Sequence, residues 1–198
     1  MALTASTMLP LGTTVPHFDL PDGDGGAVSS ASFPDAACLL VVFMCPHCPF
    51  VRHIRKGLSR FGREYQERDL AMVAINSNDI AAFPDDSPEC RTEEARAAGY
   101  SFPYLFDQTQ AVAREFRAAC TPDFFLFDSD RRLVYRGQFD SSRPGNGIAV
   151  TGSDLRAVAD AVLAGREVPA DQKASVGCNI KWRENNAPEY STVSKIEP

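Results

Sequence analysis

The feature that most constrains the fold is a continuous apolar segment, CLLVVFM at 38–44, that runs directly into a helical pattern. Its β-branched and aromatic residues predict a strand buried on both faces at the centre of a sheet. Apolar residues then recur at helical spacing, at Phe50, Ile54, Leu58, Phe61 and Tyr65. The pattern predicts an α/β fold with Cys45 and Cys48 at a strand-to-helix junction.

The remaining periodicities predict a central mixed β-sheet flanked by helices. Residues 70–75 form a second buried strand, which is parallel to the first because the helix between them is a crossover. An inserted helix is expected from Ser87 to Gly99, which are favoured cap residues. Two antiparallel strands follow at 123–127 and 132–139, and a closing helix covers the apolar stripe at 155–163.

Local signals predict further elements at both ends of the chain. The Asp22–Gly26 cluster indicates an N-terminal hairpin turn, and the spacing of Asp107 and Gln110 suits a capping box before another helix. Residues 1–165 are interpreted as one domain. Residues 166–198 show no sustained period and are interpreted as a C-terminal tail packed on that domain, with 176–182 apolar enough to dock.

Composition excludes several function classes. A net charge of −6 and a pI near 5.1 argue against a nucleic-acid binder, which needs a basic surface. No apolar run is long enough for a membrane span, and the first residues lack the features of a signal peptide. Six cysteines are too few for a disulfide scaffold, so we expect a reducing, cytoplasmic compartment. No cofactor is expected.

The sequence Cys45-Pro46-His47-Cys48 concentrates the chemistry. Two cysteines separated by two residues on the first turn of a helix can close a small disulfide ring, and the helix N-terminus favours a thiolate. Cys45, which precedes the helix, is the expected nucleophile. Pro46 and His47 are expected to tune it, because a histidine cation stabilises a neighbouring thiolate.

The same spacing also occurs in zinc sites, which require four ligands. The candidates for the other ligands are Cys90, Cys120, Cys178, His17 and His53. None of them forms a second closely spaced pair, so redox chemistry is favoured and no metal is predicted.

Two segments, FMCPHCPF at 43–50 and TPDFFL at 121–126, resemble the thioredoxin superfamily. More narrowly, the chain is similar to bacterial redoxins grouped with alkyl hydroperoxide reductase and thiol-specific antioxidant proteins. The resemblance implies a cis Thr121–Pro122 bond facing the cysteines, with Cys48 resolving the mixed disulfide formed at Cys45. Met44, Thr121 and Pro122 would then contact the substrate, which would be a protein or small-molecule disulfide, and an unidentified thiol reductant would recycle the pair.

Two other functions remain possible for the cysteine pair on the sequence alone. Peroxiredoxins carry a Thr or Ser three residues before their reactive cysteine, where this chain has Val42, so thiol peroxidase activity is the second candidate. A Cu(I)-binding module is the third, because thiolates suit that metal and Met44 and His47 adjoin the pair. Cys120 and Cys178 are candidate accessory thiols. The sequence identifies no buried acid for the resolving cysteine.

Overall fold

A computed structural model describes residues 3–23 and 25–193. Asp24 of the expected hairpin turn and residues 194–198 of the expected tail lie outside the described residues. The strands are β1 Leu3–Ala5, β2 Asp19–Pro21, β3 Ala27–Ser29, β4 Cys38–Phe43, β5 Leu70–Asn76, β6 Tyr104–Phe106, β7 Cys120–Thr121, β8 Asp123–Phe127, β9 Leu133–Gly137 and β10 Val176–Asn179. The helices are α1 Pro49–Gln66, α2 Pro88–Ala98, α3 Ala111–Glu115, α4 Ser153–Leu163 and α5 Tyr190–Val193.

The central sheet is mixed and has the order β6-β5-β4-β8-β9, as expected for the predicted α/β class. β4 lies in the middle, parallel to β5 and antiparallel to β8. All six of its residues are buried because the sheet is covered on both faces. Leu40 and Val42 belong to one hydrophobic cluster, whereas Leu39 and Val41 belong to the other, which is the two-residue alternation of a strand.

Helix α1 directly follows β4 and fixes the position of the cysteine pair. Cys48 is its N-cap residue and Pro49 its first helical residue, a position at which the missing N–H of proline costs nothing. Val51, Leu58 and Phe61 lie on the buried face of the helix. The pair therefore lies at the carboxyl end of the central strand.

The predicted hairpin and inserted helix are both present. β2 and β3 pair antiparallel. Ser87 caps α2 by accepting a hydrogen bond from the Cys90 N–H, and Gly99 ends it with a φ of 66°. The insertion that contains α2 lies between β5 and β6 in the chain.

The expected capping box at Asp107 is wrong. α3 begins at Ala111, and the amide of Gln110 donates to the carbonyls of Ser77 and Lys181 instead of the helix end. The Asp107 carboxylate accepts from the Ala113 N–H. Long-range partners thus replace the bond expected of Gln110, while Asp107 still accepts from an N–H of α3.

A second sheet, in the order β1-β10-β7, contains a strand from the expected tail. β10 pairs antiparallel with both neighbours, and Cys178 lies opposite Thr121. The irregular pattern of the tail sequence did not predict this strand. Within the described residues, no helix is long and apolar enough to cross a membrane.

Candidate functional site

The two cysteines meet the Thr121–Pro122 segment at the end of β4. Cys45 and Cys48 are only 1% and 0% exposed. The Cys45 sulfur lies 3.6 Å from the Thr121 hydroxyl oxygen, and the Cys48 sulfur lies 3.1 Å from the Thr121 carbonyl oxygen, to which a Cys48 thiol donates. The Thr121–Pro122 peptide bond is cis. The structure therefore brings together residues that are 73 or more positions apart in the chain.

Protons are unevenly divided between the two thiols. The pKa of Cys48 is lowered, first by a hydrogen bond from the Cys178 thiol, then by one from the Cys45 thiol and by the Val51 N–H. The pKa of Cys45 is raised by its hydrogen bond to Cys48, by burial and by the charge of Asp86. The Val51 N–H at the start of the helix therefore acts on Cys48. Because the two thiols are hydrogen-bonded, they titrate as a pair, with the lower pKa at Cys48.

His47 is held by an acid that the sequence analysis missed. Its Nδ1 atom lies 2.6 Å from a carboxylate oxygen of Asp86 and 3.9 Å from the Cys45 sulfur. Asp86 is fully buried, whereas the His47 side chain is 14% exposed and its ring stacks on Phe83 at a centroid distance of 6.0 Å. Asp86 lies 39 residues away in the insertion, so no local motif could reveal this pairing.

A polar network fixes Asp86 from behind. The Asn78 side-chain amide donates to the Asp86 carboxylate at 2.7 Å, and the Asn76 amide donates to the Asp86 carbonyl at 2.8 Å. The Asn78 side-chain oxygen accepts from the backbone N–H of Lys181. The end of β5, the insertion and the segment after β10 are thereby connected to His47.

Met44 occupies a core position. Its side chain is fully buried, so the structure does not present it to a substrate. Pro46 is also buried, and its carbonyl accepts from the Arg52 guanidinium at 2.8 Å. Thr121 and Pro122 are also buried, and His47 is the most solvent-exposed of the four residues Cys45–Cys48.

The two accessory thiols have different surroundings. Cys120 is buried, and its sulfur donates to the carbonyls of Pro122 at 3.7 Å and Ser175 at 3.9 Å. Cys178 is 2% exposed, and its thiol is hydrogen-bonded to Cys48. Cys178 therefore contacts Cys48, whereas Cys120 bonds to the backbone.

A second buried acid, Asp123, directly follows Pro122. Burial raises its pKa from an ordinary 3.8 to about 7, and nearby polar groups of Ser6 and Ala119 offset only part of this effect. Neither carboxylate oxygen has a well-formed hydrogen bond to the described residues. The position is close to Cys120, whose pKa is raised by burial and by this acid.

The ligand set for a metal differs from the one that the sequence suggested. In the described ranges, the one group of three His, Cys, Asp or Glu ligand atoms within 4.8 Å of one another consists of Cys45, His47 and Asp86. His53 instead hydrogen-bonds to Ser142 at 2.6 Å. A Cys-His-Asp set is three-coordinate and fits zinc better than Cu(I), which prefers sulfur.

The model of the AhpC/TSA family matches residues 11–136. The hypothetical protein SMc02350 from Sinorhizobium meliloti 1021 is 53% identical, with 91% of this chain and 98% of that chain covered and a TM-score of 0.90. An uncharacterized conserved protein from Geobacillus kaustophilus is 49% identical, with 92% and 97% covered and the same TM-score of 0.90.

A more distant structure shows the fold alone. It is the thioredoxin domain of the thiol-disulfide oxidoreductase BVU-2223 from Bacteroides vulgatus, which is 15% identical. The match covers 76% of this chain and 99% of that chain, with a TM-score of 0.59. No curated protein matches the chain.

Proposed function

Because the chain belongs to the AhpC/TSA family and has a thioredoxin-like fold, we propose that it is a thiol-disulfide oxidoreductase in which Cys45 is the nucleophile and Cys48 the resolving cysteine. The observation that carries the proposal is the contact between the two thiols at the end of the central strand, beside Thr121. Oxidoreductase chemistry in general follows from the family. The choice of disulfides as substrates follows from the paired thiols.

The reaction begins with a proton transfer. The Cys48 thiolate accepts the proton of the Cys45 thiol through their hydrogen bond, and the Cys45 thiolate attacks one sulfur of the substrate disulfide. The other substrate sulfur leaves as a thiolate and takes up a proton from solvent. Cys48 then attacks Cys45 in the mixed disulfide, and the second substrate thiol leaves with the Cys48 proton. Two substrate thiols and one Cys45–Cys48 disulfide result.

His47 and Asp86 are proposed to support the thiolate at Cys45. When protonated, the His47 ring places positive charge 3.9 Å from the reacting sulfur, and the Asp86 carboxylate stabilises that cation through a charge-assisted hydrogen bond. Asp86 is thus a positioning residue for His47. The negative charge of Asp86 raises the pKa of Cys45, and a proton on His47 would offset that effect.

We propose protein or small-molecule disulfides as substrates, a thiol compound or protein as the recycling reductant, reduction as the working direction and the cytoplasm as the compartment. The small number of cysteines supports a reducing compartment, and the compartment supports reduction as the direction. The 1% exposure of Cys45 requires neighbouring side chains to move before a large disulfide reaches its sulfur.

The test is turnover of a model protein disulfide with dithiothreitol as the reductant. Wild type is expected to accelerate reduction, and Cys45→Ser is expected to lose the acceleration. Cys48→Ser is expected to accumulate a mixed disulfide between Cys45 and the substrate, visible as an adduct by mass spectrometry. Cys120→Ser is the matched control, because Cys120 is buried beside the site but bonded to the backbone. Equal rates for wild type and Cys45→Ser would refute the proposal.

Peroxide reduction is the second candidate, and one observation favours it. Val42 is fully buried and offers no hydroxyl, but Thr121 places one 3.6 Å from the Cys45 sulfur, and a nearly buried sulfur suits a small substrate. In that reaction peroxide would oxidise Cys45 to a sulfenic acid, and Cys48 would displace water to form the disulfide. Consumption of hydrogen peroxide faster than reduction of disulfides, with loss in Thr121→Val, would favour this activity.

A further inference from the structure

Strand β10 holds Cys178 beside the redox pair. Cys178 lies opposite Thr121 in antiparallel register, and the Thr121 carbonyl oxygen is the atom 3.1 Å from the Cys48 sulfur. The preceding residue, Gly177, allows an unusually close approach, because a Cβ atom there would lie 2.1 Å from the Thr121 carbonyl oxygen. The close packing of β10 on this segment fixes the third thiol against the first two.

The Cys178 thiol is directed at Cys48. The two thiols are hydrogen-bonded, and Cys178 belongs to the same buried cluster as Cys45 and Cys48. Cys178 is buried, at 2% exposure, and the sulfur that its thiol contacts is that of Cys48. The redox partner already in place for Cys178 is therefore the sulfur of Cys48.

We propose that Cys178 is a third redox-active thiol, which exchanges with the Cys45–Cys48 disulfide to form a Cys48–Cys178 disulfide. The inference rests on the proposed thiol-disulfide function. Cys178 attacks the Cys48 sulfur, the Cys45–Cys48 bond breaks, and Cys45 leaves and takes up the proton that Cys178 loses. No electrons are gained or lost overall, so no further oxidant or reductant is required.

Oxidation of the pair itself prepares this step. In the dithiol, the pKa of Cys178 is raised first by its hydrogen bond to Cys48 and then by burial, whereas Lys181 lowers it. Once Cys48 is part of a disulfide it no longer carries the negative charge that holds the Cys178 proton. The exchange moves the oxidising equivalent into the interior and returns Cys45 as a thiol, the form that can attack another disulfide.

The test maps the disulfides of the wild-type chain. Reduced protein is oxidised with glutathione disulfide, quenched with acid, alkylated under denaturing conditions and digested with proteases that separate the three cysteines. Mass spectrometry is expected to detect a Cys45–Cys48 and a Cys48–Cys178 linkage, with alkylated Cys45 in the molecules that carry the second. The Cys48–Cys178 linkage is expected to be lost in Cys178→Ala and kept in Cys120→Ala.

The outcomes separate the inference from the proposed function. If every oxidised molecule carries Cys45–Cys48 and a fully alkylated Cys178, the third-thiol inference is overturned and the proposed function stands. If neither Cys45 nor Cys48 enters a disulfide, the proposed function fails as well. The wild-type chain decides both questions, and Cys45→Ser treated with diamide adds a direct check, since the Cys48–Cys178 linkage is expected to form there without Cys45.

Discussion

Removal of the Thr121 hydroxyl should raise the first apparent pKa of the Cys45–Cys48 pair without disturbing the fold. The hydroxyl lies 3.6 Å from the Cys45 sulfur and lowers the pKa of both cysteines, and the residue is 3% exposed. Thr121→Val keeps the branched shape that β7 accommodates. Hydrogen bonds to charged groups contribute roughly 1.5–3 kcal/mol, and the long distance here suggests about 1 kcal/mol. Since one pKa unit is about 1.4 kcal/mol, the first apparent pKa of the pair should rise by about 0.7.

The assay is the rate of Cys45 alkylation by iodoacetamide as a function of pH, followed by peptide mass. At a pH below the transition, Thr121→Val should react about fivefold more slowly than wild type, because the thiolate fraction falls by that factor. Thr121→Ser keeps the hydroxyl and should stay near wild type. Identical pH profiles for the valine variant and wild type, with unchanged circular dichroism, would refute the role given to this hydroxyl.

Three further perturbations test the surroundings of the site. The pKa of about 7 at Asp123 exceeds its unfolded value, so this acid stabilises the fold below about pH 4 and that stability is lost as the pH rises through 7. In Asp123→Asn, the free energy of unfolding measured with urea should change over this pH range by about 2–4 kcal/mol less than in wild type. An unchanged pH dependence would contradict the assignment. Asp86→Ala leaves the donors around it without an acceptor and should lower the free energy of unfolding by about 2–3 kcal/mol in the same measurement. A decrease below about 0.5 kcal/mol would show that the His47 contact is unimportant. Gly177→Ala places a Cβ against the backbone of Thr121 and should destabilise the fold by more than about 2 kcal/mol in thermal melts. The control Gly165→Ala has open space around it but a φ of 65°, and it should destabilise the fold by only about 1 kcal/mol. Equal losses of stability would argue against close packing of β10.

The central sheet and the position of the cysteines could be predicted because their signals are local and strong. The apolar run at 38–44 is long enough to identify a buried strand, and the helical stripe after it places Cys45 and Cys48 at the junction. Cap residues such as Ser87 and Gly99 act on their own helix, so their roles also follow from the sequence.

Other parts of the site could not be predicted, because they depend on contacts between distant segments. Asp86 reaches His47 across 39 positions, and β10 is a four-residue strand whose partners are short strands from elsewhere in the chain. Gln110 matches a local capping pattern in the sequence, but its side-chain amide donates to the distant carbonyls of Ser77 and Lys181. The burial of Met44 likewise follows from packing, which neighbouring residues in the sequence do not specify.

The most direct test of the central claim is a titration of the purified protein in glutathione redox buffers, with the Cys45–Cys48 disulfide followed by mass. We expect one reversible two-electron transition that both Cys45→Ser and Cys48→Ser abolish, at a potential near the cytosolic glutathione poise or more reducing. A strongly oxidising potential would contradict the reductive direction and the cytoplasmic assignment. Absence of any reversible transition would contradict thiol-disulfide exchange at this pair.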